Sequence, residues 1–128
     1  MNLNQFTIKA QEAIGKAQQL ATAEQHPSIE VVHLFKGLIS ADEHVVPFLL
    51  KKLNVSVSSV EQATDRIMQS LAKVEGGQIQ LSRNAQEALT KASNYPKEFG
   101  DEYVTLEHLL LGILATKDQV AQMLKDAG

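Results

Sequence analysis

The chain has 128 residues, with twelve Lys and Arg against fifteen Asp and Glu, four His and no Cys, for a formal net charge of −3. That length fits one domain able to bury roughly two-thirds of its unfolded surface in a single core. The lack of Cys excludes a disulfide framework and a thiolate nucleophile, and a mildly acidic chain without a basic block offers a phosphate backbone little to bind, so nucleic acid is not an expected partner.

Polar and apolar residues alternate from Asn2 to Leu20, unlike the apolar core of a signal peptide. The longest apolar run, Leu109 to Ala115, is too short to span a bilayer. A soluble protein that stays in the cytoplasm, away from membranes, is expected. Ala10, Ile14, Ala17 and Ala21 recur at i, i+4, i+7 and i+11, which predicts a helix from near Thr7 to about Thr22 with a stripe of small side chains. His26-Pro27-Ser28 breaks it, and Ser28 is expected to cap a second helix whose stripe is Val31, Leu34, Phe35 and Leu38. A short helix from Val45 to Leu53 tolerates Pro47 in its first turn. A fourth follows Asn54, with Ser58 and Glu61 at capping-box spacing and Val60, Thr64, Ile67, Leu71 and Val74 on one side. Gly76-Gly77 marks a flexible connection, and Ser82 caps the next helix. Leu106, Leu109, Leu110 and Ile113 form the stripe of a helix starting near Thr105, and Val120 to Ala127 form the last, with Asp118 as its cap.

The second half repeats the first at an offset of 75 residues: Ala10-Gln11-Glu12-Ala13 with Lys16-Ala17 returns as Ala85-Gln86-Glu87-Ala88 with Lys91-Ala92. His33-Leu34 and Gly37 return as His108-Leu109 and Gly112. Residues 6–53 laid on 81–128 without a gap give eleven identities in 48 pairs, against about three by chance. The expected fold is therefore all-α, a pseudo-two-fold tandem repeat of a four-helix unit: repeat one at 4–73, a Gly-containing connection at 74–80, and repeat two at 81–128. The fourth helix of repeat two falls beyond residue 128, so the last helix is expected to be missing and an apolar face left open. Gly37 and Gly112 each cost about 1 kcal/mol against Ala inside a helix, which predicts a close helix crossing at the same point in both copies.

No H-E-x-x-H or C-x-x-C offers a metal site, no G-x-S-x-G elbow presents a serine, and no G-x-x-x-x-G-K-[ST] loop cradles a nucleotide. His33 and His108 read as packed, hydrogen-bonded residues, and no metal or cofactor is expected in this domain. Glu98, Asp101, Glu102 and Glu107 cluster ahead of and at the start of one helix. Glu107 has two readings: a carboxylate stabilised by the helix dipole, or part of a polar rim orienting a peptide beside an apolar groove between the repeats.

Phe6-Thr7, Ile29-Glu30-Val31-Val32-His33-Leu34 and Val104-Thr105-Leu106-Glu107-His108-Leu109-Leu110-Leu111-Gly112 together resemble the amino-terminal domain (double Clp-N motif) of Clp-type AAA+ chaperones, over nearly the whole chain. The resemblance implies an all-helical pseudo-dimer joined to a hexameric ATPase ring that threads polypeptides, with ATP and magnesium held in that ring. Glu107 is kept but Val32 stands at its counterpart, with Glu30 two residues earlier. This resembles the ClpB disaggregase branch rather than the ClpC-type domains that recognise phosphoarginine with Thr-Glu-His in both copies. By that resemblance Thr7, Asp101 and Glu107 are the polar residues of chaperone function, and Lys91, Tyr95 and His108 stand where some relatives line a groove for exposed apolar segments. Thr7, Tyr95, Asp101 and Glu107 are thus the candidate peptide-binding residues. The expected function is weak binding of unfolded or aggregated polypeptide for an ATP-driven ring. The alternatives are docking of a folded adaptor by a Clp protease ATPase, or a small helical enzyme dependent on His33 or His108.

Overall fold

The computed structural model describes residues 3–74, 79–99 and 103–127. The Gly76-Gly77 connection and Asp101 lie outside them. Seven helices run through the described residues: α1 (Ile8–Ala23), α2 (Val31–Ala41), α3 (Val45–Lys52), α4 (Val57–Ser70), α5 (Arg83–Phe99), α6 (Leu106–Leu114) and α7 (Gln119–Ala127). Two short strands, β1 (Ser28–Ile29) and β2 (Gln80–Leu81), pair in parallel. No helix among these residues is long and apolar enough to cross a membrane.

Side-chain oxygens set where the helices start. Thr7 Oγ1 accepts from the Ala10 amide at 3.1 Å, and its counterpart Ser82 Oγ accepts from the Ala85 amide at 3.1 Å. Asp118 Oδ2 accepts from the Val120 amide at 3.0 Å, which caps α7 as expected. Two expected caps move. α2 is capped by Glu30, not Ser28, because Ser28 and Ile29 are held in the bridge to Gln80 and Leu81. α4 is capped by Ser56, whose Oγ accepts from Ser59 at 3.2 Å, rather than by Ser58. Asn54, at φ 59°, reverses the chain directly after α3 and brings Ser56 to the cap two residues early. α4 also stops at Ser70, so Val74 leaves the stripe and its amide donates to Gln25 O at 2.8 Å.

α1 lies across α2, and α5 across α6. Ala10, Ala13, Ala17 and Ala21 form the buried face of α1, with Ala13 taking the place expected of Ile14. The crossing points are the two repeated glycines. A Cβ on Gly37 would meet Ala13 O and lie 3.1 Å from Ala17 N, and one on Gly112 would meet Ala88 O and lie 3.1 Å from the Ala92 Cβ. The contacted residues are themselves repeat counterparts, so one small-residue crossing has been built twice.

The repeats exchange their edges. Phe6 bridges Val104 in parallel, while Leu81, the counterpart of Phe6, pairs with Ile29, the counterpart of Val104. Thr7 N donates to Val104 O at 2.9 Å, and Ser82 N donates to Ile29 O at 2.9 Å. Each copy's entry is clasped by the other copy's second helix, which is the signature of a pseudo-two-fold axis. α4 breaks the symmetry: it seats on α2 and α7, with Lys36 Nζ 2.6 Å from Asp65 Oδ1. Among the described residues no helix takes the corresponding place on α6, and Leu111, the counterpart of Lys36, is 40% exposed. Beside it, Leu49, Leu53, Leu110, Leu114 and Leu124 line an apolar cleft of about 210 Å³.

Candidate functional site at the seam of helices α1 and α6

The Phe6–Val104 bridge sets the start of α1 against the start of α6. Thr105 is the N-cap of α6: its amide donates to His108 Nδ1 at 2.9 Å, and its side chain accepts from the His108 amide at 3.4 Å. This capping box holds the His108 ring, which is buried. The Tyr95 ring of α5 stacks on it with centroids 6.4 Å apart and planes 17° apart. Glu107 projects into solvent from the first turn, where the helix dipole favours a carboxylate.

Of the candidate residues, Thr7, Tyr95 and Glu107 therefore gather around the start of α6, and Asp101 lies outside the described residues. Glu102 and the Glu98 side chain lie outside them too. Lys91 is engaged elsewhere: its Nζ donates to Ala115 O at 2.8 Å, closing the far end of α6, and pairs with Glu87 at 2.9 Å. His108 supports the Tyr95 ring from beneath rather than facing solvent.

Two apolar residues at the seam escaped the sequence reading. Ile8 is 75% exposed and Tyr103 is 52% exposed, each one residue from the Thr7–Val104 hydrogen bond. Ile8 stands off the alanine stripe of α1, and that offset was a readable signal that it faces away from the core. At the opposite seam the counterparts are Arg83, Ser28, Leu20 and Val32 in place of Ile8, Tyr103, Tyr95 and Glu107. Val32 is buried, and it shares a recess with Ile67 of α4 and with Leu71 just past its end. One seam thus exposes two apolar residues with a carboxylate beside them, whereas the other exposes Arg83 and buries Val32 next to Ile67 of α4.

The opposite seam also holds, among the described residues, a strongly perturbed titratable group. His33 is fully buried, accepts from the Glu30 amide at Nδ1 (2.8 Å) and meets His26 Nδ1 through Nε2 (2.8 Å). Burial, reinforced by the neighbouring His26, lowers its pKa to about 4. Among the described residues no group of three or more His, Cys, Asp or Glu is arranged to hold a metal ion.

Comparison with known proteins places this geometry. Residues 5–127 match the Clp repeat (R) N-terminal domain model, and the chain belongs to that family. It is 44% identical over 128 residues to a chaperone protein ClpB of Bacteroides thetaiotaomicron, covering 100% of this chain and 15% of the relative. It is 36% identical over 128 residues to a chaperone protein ClpB of Porphyromonas gingivalis, with the same coverage of 100% and 15%. Among solved structures, the Hsp104 N-terminal domain of Candida albicans superposes with a TM-score of 0.87 at 24% identity, over 96% of this chain and 81% of that one. The N-terminal domain of ClpD from Arabidopsis thaliana superposes with a TM-score of 0.75 at 20% identity, over 98% and 86%. The fold is thus that of Clp N-terminal domains, and the chain spans 15% of the length of these curated relatives.

Proposed function

We propose that this domain engages unfolded or aggregated polypeptide weakly for a ClpB-like disaggregase. In that reading the rest of the parent polypeptide forms a cytoplasmic hexameric ring that supplies ATP-driven, magnesium-dependent threading, and the domain itself catalyses nothing. The observation that carries the reading is the asymmetry of the two seams. Ile8 and Tyr103 expose apolar surface at the α1–α6 seam beside Glu107, whereas at the opposite seam a charged, exposed Arg83 replaces Ile8 and Val32 is buried next to Ile67 of α4. Extended chain can lay apolar side chains on Ile8 and Tyr103, while Glu107 and the Thr7 cap stand beside them. A module that hands its client onward gains nothing from tight binding, so dissociation constants of about micromolar or weaker are expected.

The test is an NMR titration of the labelled domain with a permanently unfolded polypeptide. Fast-exchange shifts at Thr7, Ile8, Tyr95 and Tyr103 to Glu107 are expected, with Arg83, Ser28 and Val32 unmoved. No shifts at about millimolar polypeptide would overturn the reading in favour of docking a folded adaptor.

A further inference from the structure

The α2 seam carries a hydrogen-bond chain that the proposed binding site does not use. His26 and His33 are both buried, and their rings meet through His26 Nδ1 and His33 Nε2 at 2.8 Å. The Glu30 amide donates to His33 Nδ1 at 2.8 Å. These contacts fix the protons. His33 Nδ1 accepts, so the His33 proton sits on Nε2 and is donated to His26 Nδ1; the His26 proton then sits on its own Nε2. A third proton must go to His26 Nδ1 or His33 Nδ1, and each already faces an N–H donor. Shifting the His33 proton to its Nδ1 only moves the clash to the Glu30 amide. Any proton taken up therefore breaks one of the two hydrogen bonds.

His26 ends a strained segment on which the seam depends. Gln25 has φ 58°. Its carbonyl accepts from the Val74 amide at 2.8 Å, and three residues after His26 the Ile29 carbonyl accepts from the Ser82 amide at 2.9 Å. The second copy differs in sequence: the counterpart of His26 is Asp101, so only the first copy places two imidazoles here. We propose that the His26–His33 pair is a proton-operated latch: uptake of one proton releases residues 25–29 and with them the Val74 and Ser82 ties, while the Phe6–Val104 seam stays closed.

The charged groups facing the pair do little to hold a proton on it. Glu24 at the end of α1 favours uptake, but it is 3.5 Å from Lys73, beyond α4. Asp65 of α4 is bound to Lys36 of α2, and Glu30 lies at the α2 cap, where it accepts from the His33 amide and from Ser28. His33 is the group whose burial disfavours the charged form, with its pKa at about 4 when folded against 6.5 when released. The sign follows: the released form binds more protons between those values, so release is favoured as pH falls below 6.5.

The experiment is NMR of the 128-residue chain at about pH 7.5 and about pH 5. Near pH 7.5 the ring nitrogens of both histidines should report the Nε2-protonated tautomer; an Nδ1-protonated His33 would overturn the latch. On acidification the amide protection of Val74 and Ser82 should fall by on the order of 30-fold relative to Thr7 and Val104. An equal change at both seams, or none, would overturn it. In His26→Asn the amide oxygen replaces Nδ1 as acceptor without titrating, and the pH-dependent fall should shrink. An undiminished fall would show that His33 acts alone and would overturn the pair as the latch.

Discussion

Thr7 has two jobs that a binding assay would confuse. Its hydroxyl caps α1 through the Ala10 amide, and its own amide closes the bridge to Val104. Thr7→Ala is expected to cost about 1 kcal/mol of stability, read as a lower urea midpoint, while Thr7→Ser keeps the cap and melts with the parent. A Thr7→Ala protein as stable as the parent would show that the cap contributes nothing. Only the Ser variant therefore separates binding from folding. Glu107 is cleaner, because it is exposed and its role in the helix is limited to the dipole. The difference was partly legible in the sequence. Thr7 precedes an apolar stripe as a cap should, and Glu107 stands where its own copy keeps a carboxylate and the other has Val32. The exposure of Tyr103 was not legible, since it sits between a hydrogen-bonded bridge and a helix cap, where no periodicity assigns a side chain to a face.

At the scale of elements the repeated glycines give the sharpest test. The atoms a new Cβ would meet at Gly37 and Gly112 are backbone atoms and an alanine Cβ, none of which can swing aside. Gly37→Ala or Gly112→Ala should therefore lose about 2 kcal/mol net, an overpacking cost of about 3 kcal/mol less about 1 kcal/mol of helix propensity. Gly15 is the control: it lies within α1, is exposed, and a Cβ there would meet nothing within 4 Å. Gly15→Ala should gain about 0.5–1 kcal/mol. Denaturant melts of the three variants decide it, and a neutral Gly37→Ala would mean that α1 and α2 can separate without loss. The helices themselves were readable because stripes such as Leu106, Leu109, Leu110 and Ile113 extend over two turns or more. β1 and β2 were not, because two residues cannot show a period of two. Once Ser28 was taken by that bridge, the cap of α2 moved to Glu30 for a reason that lies about 50 residues away in the chain, at Gln80.

At the scale of the molecule, the offset of 75 residues predicts two copies but not how they face each other. The exchanged bridges decide that: Phe6 to Val104 and Leu81 to Ile29 turn a tandem repeat into a mutual clasp. The same symmetry makes α4 a guide to the face of α6 that it does not cover. On α2, Lys36 and Ile39 share a recess with Glu61, Thr64 and Asp65 of α4. Their counterparts on α6 are Leu111 and Leu114, and Leu114 lines the apolar cleft with Leu49, Leu53 and Leu124. Lysine at position 36 suits a partner helix with an acidic residue, whereas leucine at position 111 suits one with an apolar residue, so the helix that fits α6 differs from α4 at the place of Asp65. A polypeptide continued past Gly128 into such a helix should bury the exposed part of Leu111 and close the cleft. At about 25 cal/mol per Å² of apolar surface, covering on the order of 100 Å² is worth about 2.5 kcal/mol before ordering costs, enough to move a thermal midpoint by several degrees in a domain of this size. Circular dichroism melts of the 128-residue chain and of a longer one provide the comparison. A higher midpoint for the longer chain is expected, and its fall on changing Leu111→Lys would place the added helix on α6. Equal midpoints would mean that the face is not closed by the chain itself.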